Sequence, residues 1–269
     1  CTSRGYPFRR VHRESASSAA RKCLNQAIGR DAGGNRMTLR LCFKHFRAAL
    51  LALSLCSLLN GYPREVHAAD SFAGAAIAQL QYGGGGDWYA NPSSLPNLLK
   101  FARKEAGISV SPTPGRVRIT DPELFAYPLI YMTGHGNVRF SDEEVVRLRR
   151  YLLSGGFLHA DDNYGLDESF RREMRRVFPD NALVELPFDH PIYRSWFVFP
   201  NGLPKIHEHD GKPAQGFGIF AGGRLVVFYS YESDLGDGWE DQHVHNDPEE
   251  KRLEALRMGT NILVYALTH

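Results

Sequence analysis

Cysteine is missing from everything after position 56. Cys1, Cys23, Cys42 and Cys56 are the only four in the chain. The rest therefore offers no disulfide, thiolate metal site or cysteine nucleophile. A membrane-spanning run is missing too. The most apolar stretch, Ala48 to Leu59, covers 12 residues, short of the roughly 20 that cross a bilayer as a helix. Ser154 and Ser195 lack the GxSxG setting of a serine hydrolase, and neither HExxH nor GxxxxGK[ST] occurs. These absences remove common serine-hydrolase, zinc-protease and phosphate-loop signatures. No internal repeat or interdomain linker stands out. An excess of one charge is lacking as well, since the formal net charge is only +2. That balance is composite, because residues 1–68 carry +9 and residues 69–269 carry −7. The basic character belongs to the leader, so nucleic acid is not an expected partner.

What is present begins with an export pattern. Met37 precedes a basic stretch with Arg40, Lys44 and Arg47, then the apolar run, then a polar segment ending Val66-His67-Ala68. This is the order of a secretory signal peptide over 37–68, with cleavage expected after Ala68. The competing reading is an uncleaved anchor. A lipoprotein signal fits poorly, because Leu55 precedes Cys56 where a small residue belongs. Residues 1–36, rich in Arg, Ser and Ala without apolar periodicity, read as an upstream or disordered extension. The expected location is periplasmic or secreted. The mature part has no transmembrane span and, at about 200 residues, is large enough to stabilise one ordinary core.

From position 69 onward the pattern alternates between strand and helix. Residues 74–82 read as a strand leading into Gly83–Gly86, and residues 128–133 as a strand buried on both faces. A helix from about Ser94 turns Leu95, Leu98, Leu99 and Ala102 to one face and stops at Gly107. Pro112 and Pro114 mark a loop. Ser141-Asp142-Glu143-Glu144 is a capping box. It opens a helix with Val145, Leu148, Leu152 and Leu153 inward, ending at Gly155-Gly156. Phe157-Leu158 starts another strand, which runs into a polar cluster. Asp167 is the expected N-cap of a helix through Phe178, and residues 183–186 form a further candidate strand. Residues 187–216 read mostly as loop. Residues 217–221 and 224–230 form a hairpin about Gly222-Gly223. Pro248 starts the last helix. The expectation is a single α/β domain over 69–269, a three-layer sandwich around a mostly parallel sheet with a late β-hairpin.

Seven segments carry a family likeness: YGGGGDWY, DPELFAYPLIYMTGHG, FSDEEVVRLRRYLLSGGFLHADDN, RREMRRVFPD, LPFDHPIY, LPKIHEHDG and YSYESDLGDGWED. Together, from about Phe72 to Thr268, they resemble the bacterial domain-of-unknown-function 4159 family. The resemblance implies a class I glutamine amidotransferase-like, flavodoxin-related fold. It also implies an envelope setting, since some longer relatives carry a membrane-anchored von Willebrand-type module and accompany MoxR-type ATPases. In such folds a nucleophile sits on a tight turn after a strand. That turn would fall at His159-Ala160-Asp161, where no thiol stands.

The candidate chemistry gathers where predicted strands end, because ligands of open parallel sheets bind outside the carboxyl ends of the strands. Asp161, Asp162 and His135 are the catalytic candidates, as acids and bases. Adjacent strand residues point to opposite faces, however, so the two aspartates are not expected to pair. Gly84, Gly85, Asp87, Trp88, Asn163, Glu232 and Asp234 are the ligand-binding candidates. Histidine and carboxylate together suit a divalent ion such as zinc, and His135, His159, Asp161, His207 and His209 are its candidate ligands. His243 and His245 fall in an acidic loop that is either solvated or a lid. The competing reading makes His135 and His159 ordinary hydrogen-bonded groups at strand ends. Two functions follow. One is a non-thiol amidotransferase-like module that binds a small or carbohydrate-like ligand or an envelope partner. The other is a metal-assisted hydrolase.

Overall fold

The computed structural model describes residues 74–269. The expected signal peptide and the extension before it lie outside the described residues. The short apolar runs become strands β1 (Ile77–Gln81), β2 (Gly115–Arg118), β3 (Leu129–Met132), β4 (Phe157–Asp161), β5 (Val184–Glu185), β6 (Gln215–Ala221) and β7 (Arg224–Tyr231). The periodic segments become helices α1 (Ser94–Ala106), α2 (Asp142–Leu153), α3 (Asp167–Val177), α4 (Leu235–Trp239), α5 (Gln242–His245) and α6 (Glu249–Thr268).

The seven strands of the described residues join one sheet in the order β2-β1-β3-β4-β7-β6-β5. The first five of that order run parallel. β6 is antiparallel to β7, and β5 to β6. Because β7 is parallel to β4, the loop after it emerges on the same edge as the loops after β1, β3 and β4. This direction decides where the site forms.

Side-chain alternation along the strands splits the core into two layers. In β3, Ile130 and Met132 meet Val145, Leu148 and Leu152 of α2 and Phe170 and Met174 of α3. Leu129 and Tyr131 face the other way, onto Leu98 and Leu99 of α1 and Met258 and Ile262 of α6. Helices therefore cover both faces, as the alternating pattern requires. No helix among the described residues is long and apolar enough to cross a membrane.

The capping box forms as read from sequence. Ser141 Oγ accepts from Glu144 N at 3.2 Å, and Glu144 Oε2 accepts from Ser141 N at 2.8 Å. Ser141→Ala is expected to cost about 1 kcal/mol, the usual loss of an N-cap side chain, read as a lower urea midpoint at unchanged slope.

Four local expectations change. β2 is an edge strand hidden behind Pro112 and Pro114, with only Val117 of its four residues buried. Leu153 is exposed, and Tyr151 fills the inward position instead. Leu166, not Asp167, occupies the N-cap of α3; Asp167 is the first helical residue. The largest change concerns His159-Ala160-Asp161. It is no turn but the buried end of β4, with Asp161 in register beside Ser230 of β7. Its polar groups stay in the strand because they find partners within the neighbouring layers.

Candidate metal centre

The loops after β1, β3, β4 and β7 meet at one edge, and a second long segment, residues 195–214, folds over them. Backbone contacts fix that segment against the turn after β7. Ile206 N donates to Ser233 O at 2.9 Å, and Ser233 Oγ donates to Pro204 O at 2.6 Å. Lys251 Nζ of α6 donates to Ile206 O at 3.0 Å. The consequence is local and chemical: His207 and His209 are delivered to Asp234.

His207 Nδ1 lies 3.0 Å from Asp234 Oδ2 and 3.2 Å from Asp237 Oδ2. His209 Nε2 contacts the same Asp234 Oδ2. His245 Nε2, from α5, lies 3.6 Å from Asp237 Oδ2 and 3.1 Å from Glu240 Oε2. Two triads result, His207-His209-Asp234 and His207-Asp237-His245, each with its ligand atoms within 4.8 Å of one another. Metal–ligand bonds of about 2.1 Å put neighbouring donors about 3.0 Å apart in an octahedron and about 3.4 Å apart in a tetrahedron. The observed separations from His207 match that scale. Each triad is two histidines and one carboxylate, a set that leaves positions open for water.

The outer groups also fit. His207 Nε2 lies 3.2 Å from Asp247 Oδ1, the carboxylate–histidine arrangement that orients metal ligands. Asn91 Nδ2 donates to Asp237 Oδ1 at 2.5 Å. Asn91 in turn exchanges hydrogen bonds with Asn163, at 3.2 Å each way. Asp234 is the centre of the problem. Its side chain is 1% exposed, yet its Oδ1 has no hydrogen-bond partner among the described residues. A buried carboxylate oxygen without a partner is costly.

The electrostatics point the same way. Hydrogen bonds to Asp234 and Asp237 push the His207 imidazole up to about 10, against its burial. Burial alone would raise the Asp237 carboxyl, but His207, His245 and Asn91 outweigh it and hold it low. Positive charge is therefore favoured at the point where these carboxylates meet. The backbone is strained here too. His209, Glu232 and Asp234 have φ of 35°, 57° and 61°, a left-handed region that costs non-glycine residues about 1–3 kcal/mol and recurs at functional sites.

The other sequence candidates fall elsewhere. His159 lies inside the core, its Nε2 2.9 Å from Ser230 Oγ, among Tyr131, Phe228 and Trp239. Burial lowers its pKa to about 3, so it is a neutral structural residue. Asp161 is buried beneath the centre, and Asp162 faces the opposite layer, as the strand alternation implied. There Asp162 accepts from Leu166 N at 2.9 Å and Tyr229 OH at 3.1 Å, stabilising the entry to α3. His135 pairs with Asp87, with Nδ1 to Oδ2 at 3.0 Å, outside both triads. Gly84 packs against the backbone of Asn137–Arg139 and Gly85 stands open. Trp88 rests on the core layer. Glu232 pairs with Lys205 at 3.0 Å. Of the five expected metal ligands, His207 and His209 converge, while His135, His159 and Asp161 do not. Asp234 supplies their carboxylate, and Asp237 and His245 complete the second triad. The i, i+3 spacing of Asp234 and Asp237 directly after a strand is the signal by which sequence could have found Asp237.

The class this defines is an α/β domain with a thiol-free histidine–carboxylate cluster at the carboxyl edge of a parallel sheet. Residues 76–267 match the family model described as domain of unknown function (DUF4159). The chain belongs to that family. No curated protein matches it.

Proposed function

We propose that this is an exported, metal-dependent domain that binds one divalent ion at His207, His209 and Asp234 and uses it to activate water for hydrolysis. One observation carries the reading: two imidazoles address one oxygen of a buried aspartate whose other oxygen has no partner among the described residues. A bound ion satisfies this arrangement by neutralising the carboxylate while the imidazoles serve as neutral donors. An ion held by three protein ligands lowers the pKa of bound water and polarises an acyl or phosphoryl oxygen. Asp237 and His245 stand beside it to hold or accept protons. Because the two triads share His207, whose Nδ1 faces both Asp234 and Asp237, the expected stoichiometry is one ion per chain. The absence of cysteine from the domain excludes thiol amidotransferase chemistry, while the parallel core with helices on both faces supports an amidotransferase-like ancestry.

Elemental analysis of natively purified protein, together with zinc titration of chelator-treated protein, tests the proposal. One equivalent of metal is expected. Zinc at about a thousand times its dissociation constant should stabilise the fold by about 4 kcal/mol, and Asp234→Asn should abolish that gain. Metal-free protein whose melting temperature ignores zinc, manganese and iron would sink the reading. Stoichiometric metal without hydrolysis of 4-nitrophenyl acetate or 4-nitrophenyl phosphate would favour the ligand-binding module instead.

A further inference from the structure

Asp161 touches none of the proposed ligands. It is fully buried at the end of β4, and its carboxylate meets hydrogen-bond donors. Its Oδ2 accepts from Gly236 N at 2.6 Å, and its Oδ1 accepts from Ser230 Oγ at 2.5 Å. Tyr131 OH stands 3.5 Å from Oδ2. Gly236 lies between Asp234 and Asp237 in the chain, at the start of the short helix α4. No space remains around it. A Cβ there would come within 2.4 Å of Tyr131 OH, 2.9 Å of Asn91 Nδ2 and 3.0 Å of Asp161 Oδ2.

We infer that Asp161 is a positioning residue that sets the Asp234–Asp237 turn for metal binding by anchoring Gly236 to the sheet. The inference rests on the metal reading above and assigns to β4 the task of fixing the loop that follows β7. The argument is geometric. Asp234 sits in a left-handed conformation with no side-chain cap, so the turn has little local reason to hold its shape. The Gly236 N–H to Asp161 bond is a buried link that ties the turn to β4, beside the Asn91 hydrogen bond to Asp237. A carboxyl group suits this place because each of its two oxygens can accept from a neighbouring donor, the Gly236 N–H on one side and the Ser230 hydroxyl on the other. An asparagine of the same shape would turn an NH2 toward the Gly236 N–H or the Ser230 hydroxyl.

The test is a zinc competition titration of the full chain against a chromophoric chelator, paired with the visible spectrum of the cobalt-loaded protein. Asp161→Asn is expected to weaken zinc about 10- to 100-fold, the usual effect of losing an outer-shell partner, and to shift the cobalt bands. Asp162→Asn, which faces the opposite layer, should leave both unchanged. Gly236→Ala, which forces the turn off Asp161 from the other side, should reproduce the loss if Asp161→Asn folds poorly. A folded Asp161→Asn protein with wild-type zinc affinity and cobalt spectrum overturns the inference. Hydrogen exchange of the metal-free protein separates the two readings. If wild type binds no metal, Asp161→Asn must still speed exchange across residues 234–239 at least about tenfold. Unchanged exchange there overturns the positioning role by itself.

Discussion

Replacing His207 with alanine is expected to lower zinc affinity by about two to three orders of magnitude. His207 is common to both triads and its Nδ1 faces both Asp234 and Asp237, so no rearrangement of the other ligands recovers it. Structural zinc sites with four ligands bind with about 10–16 kcal/mol in total, or about 2.5–4 kcal/mol per ligand, and 1.4 kcal/mol is about a factor of ten. His245→Ala is expected to cost much less, about tenfold, because His207, His209 and Asp234 remain together. Chelator competition at fixed pH measures both. If the two substitutions weaken binding equally, the ion belongs to the Asp237–His245 side. If neither matters, the cluster is not a metal centre.

The second large effect concerns acid stability and a residue outside the centre. Burial holds the His159 pKa at about 3 in the folded protein, against about 6.5 for an unperturbed histidine. Between those values the unfolded chain binds a proton that the folded chain refuses, so stability falls as pH falls through that window. The loss is about 2 kcal/mol at pH 5 and about 5 kcal/mol once pH passes below 3, at 1.36 kcal/mol per unit. Asp161 and Asp162 act in the opposite direction. Burial raises them to about 8 and about 6, so they favour the folded state increasingly as pH drops toward 4. The measurement is therefore a difference. His159→Phe keeps a ring against Tyr131, Phe228 and Trp239 but cannot take a proton. Urea unfolding should show wild type losing about 2 kcal/mol relative to the variant between pH 7 and pH 5. A pH-independent difference would remove His159 from the acid response.

His159 also shows where sequence reading stopped. A histidine after two apolar residues looks like a strand-end ligand, and its burial among three aromatic rings depends on α4 and β7 packing around it. Asp161 was misread for a related reason. A glycine pair followed by a short apolar run and an acidic cluster fits a strand-to-loop exit, and only the pairing of Asp161 with Ser230 keeps that residue inside the sheet. His207 and His209 were recognised as a histidine pair, but their carboxylate lies 25 residues or more further along the chain. Asp234 and Asp237 follow the last strand directly, yet nothing local says which histidines reach them. Asp87 and His135 were each noted, yet their pairing spans 48 residues.

By itself the sequence determined the alternation of strands and helices, the capping box of α2, the hairpin of β6 and β7, the absence of thiol chemistry and the family. These follow from periodicity, local hydrogen bonding and composition, which act over a few residues. Tertiary structure alone decided that β7 runs parallel to β4, that residues 204–206 dock on Ser233, and that the HADD stretch forms the buried floor beneath the site rather than its reactive edge. Those outcomes depend on which distant surfaces bury each other, and a histidine becomes a ligand only where such packing brings a carboxylate to within about 3 Å of it.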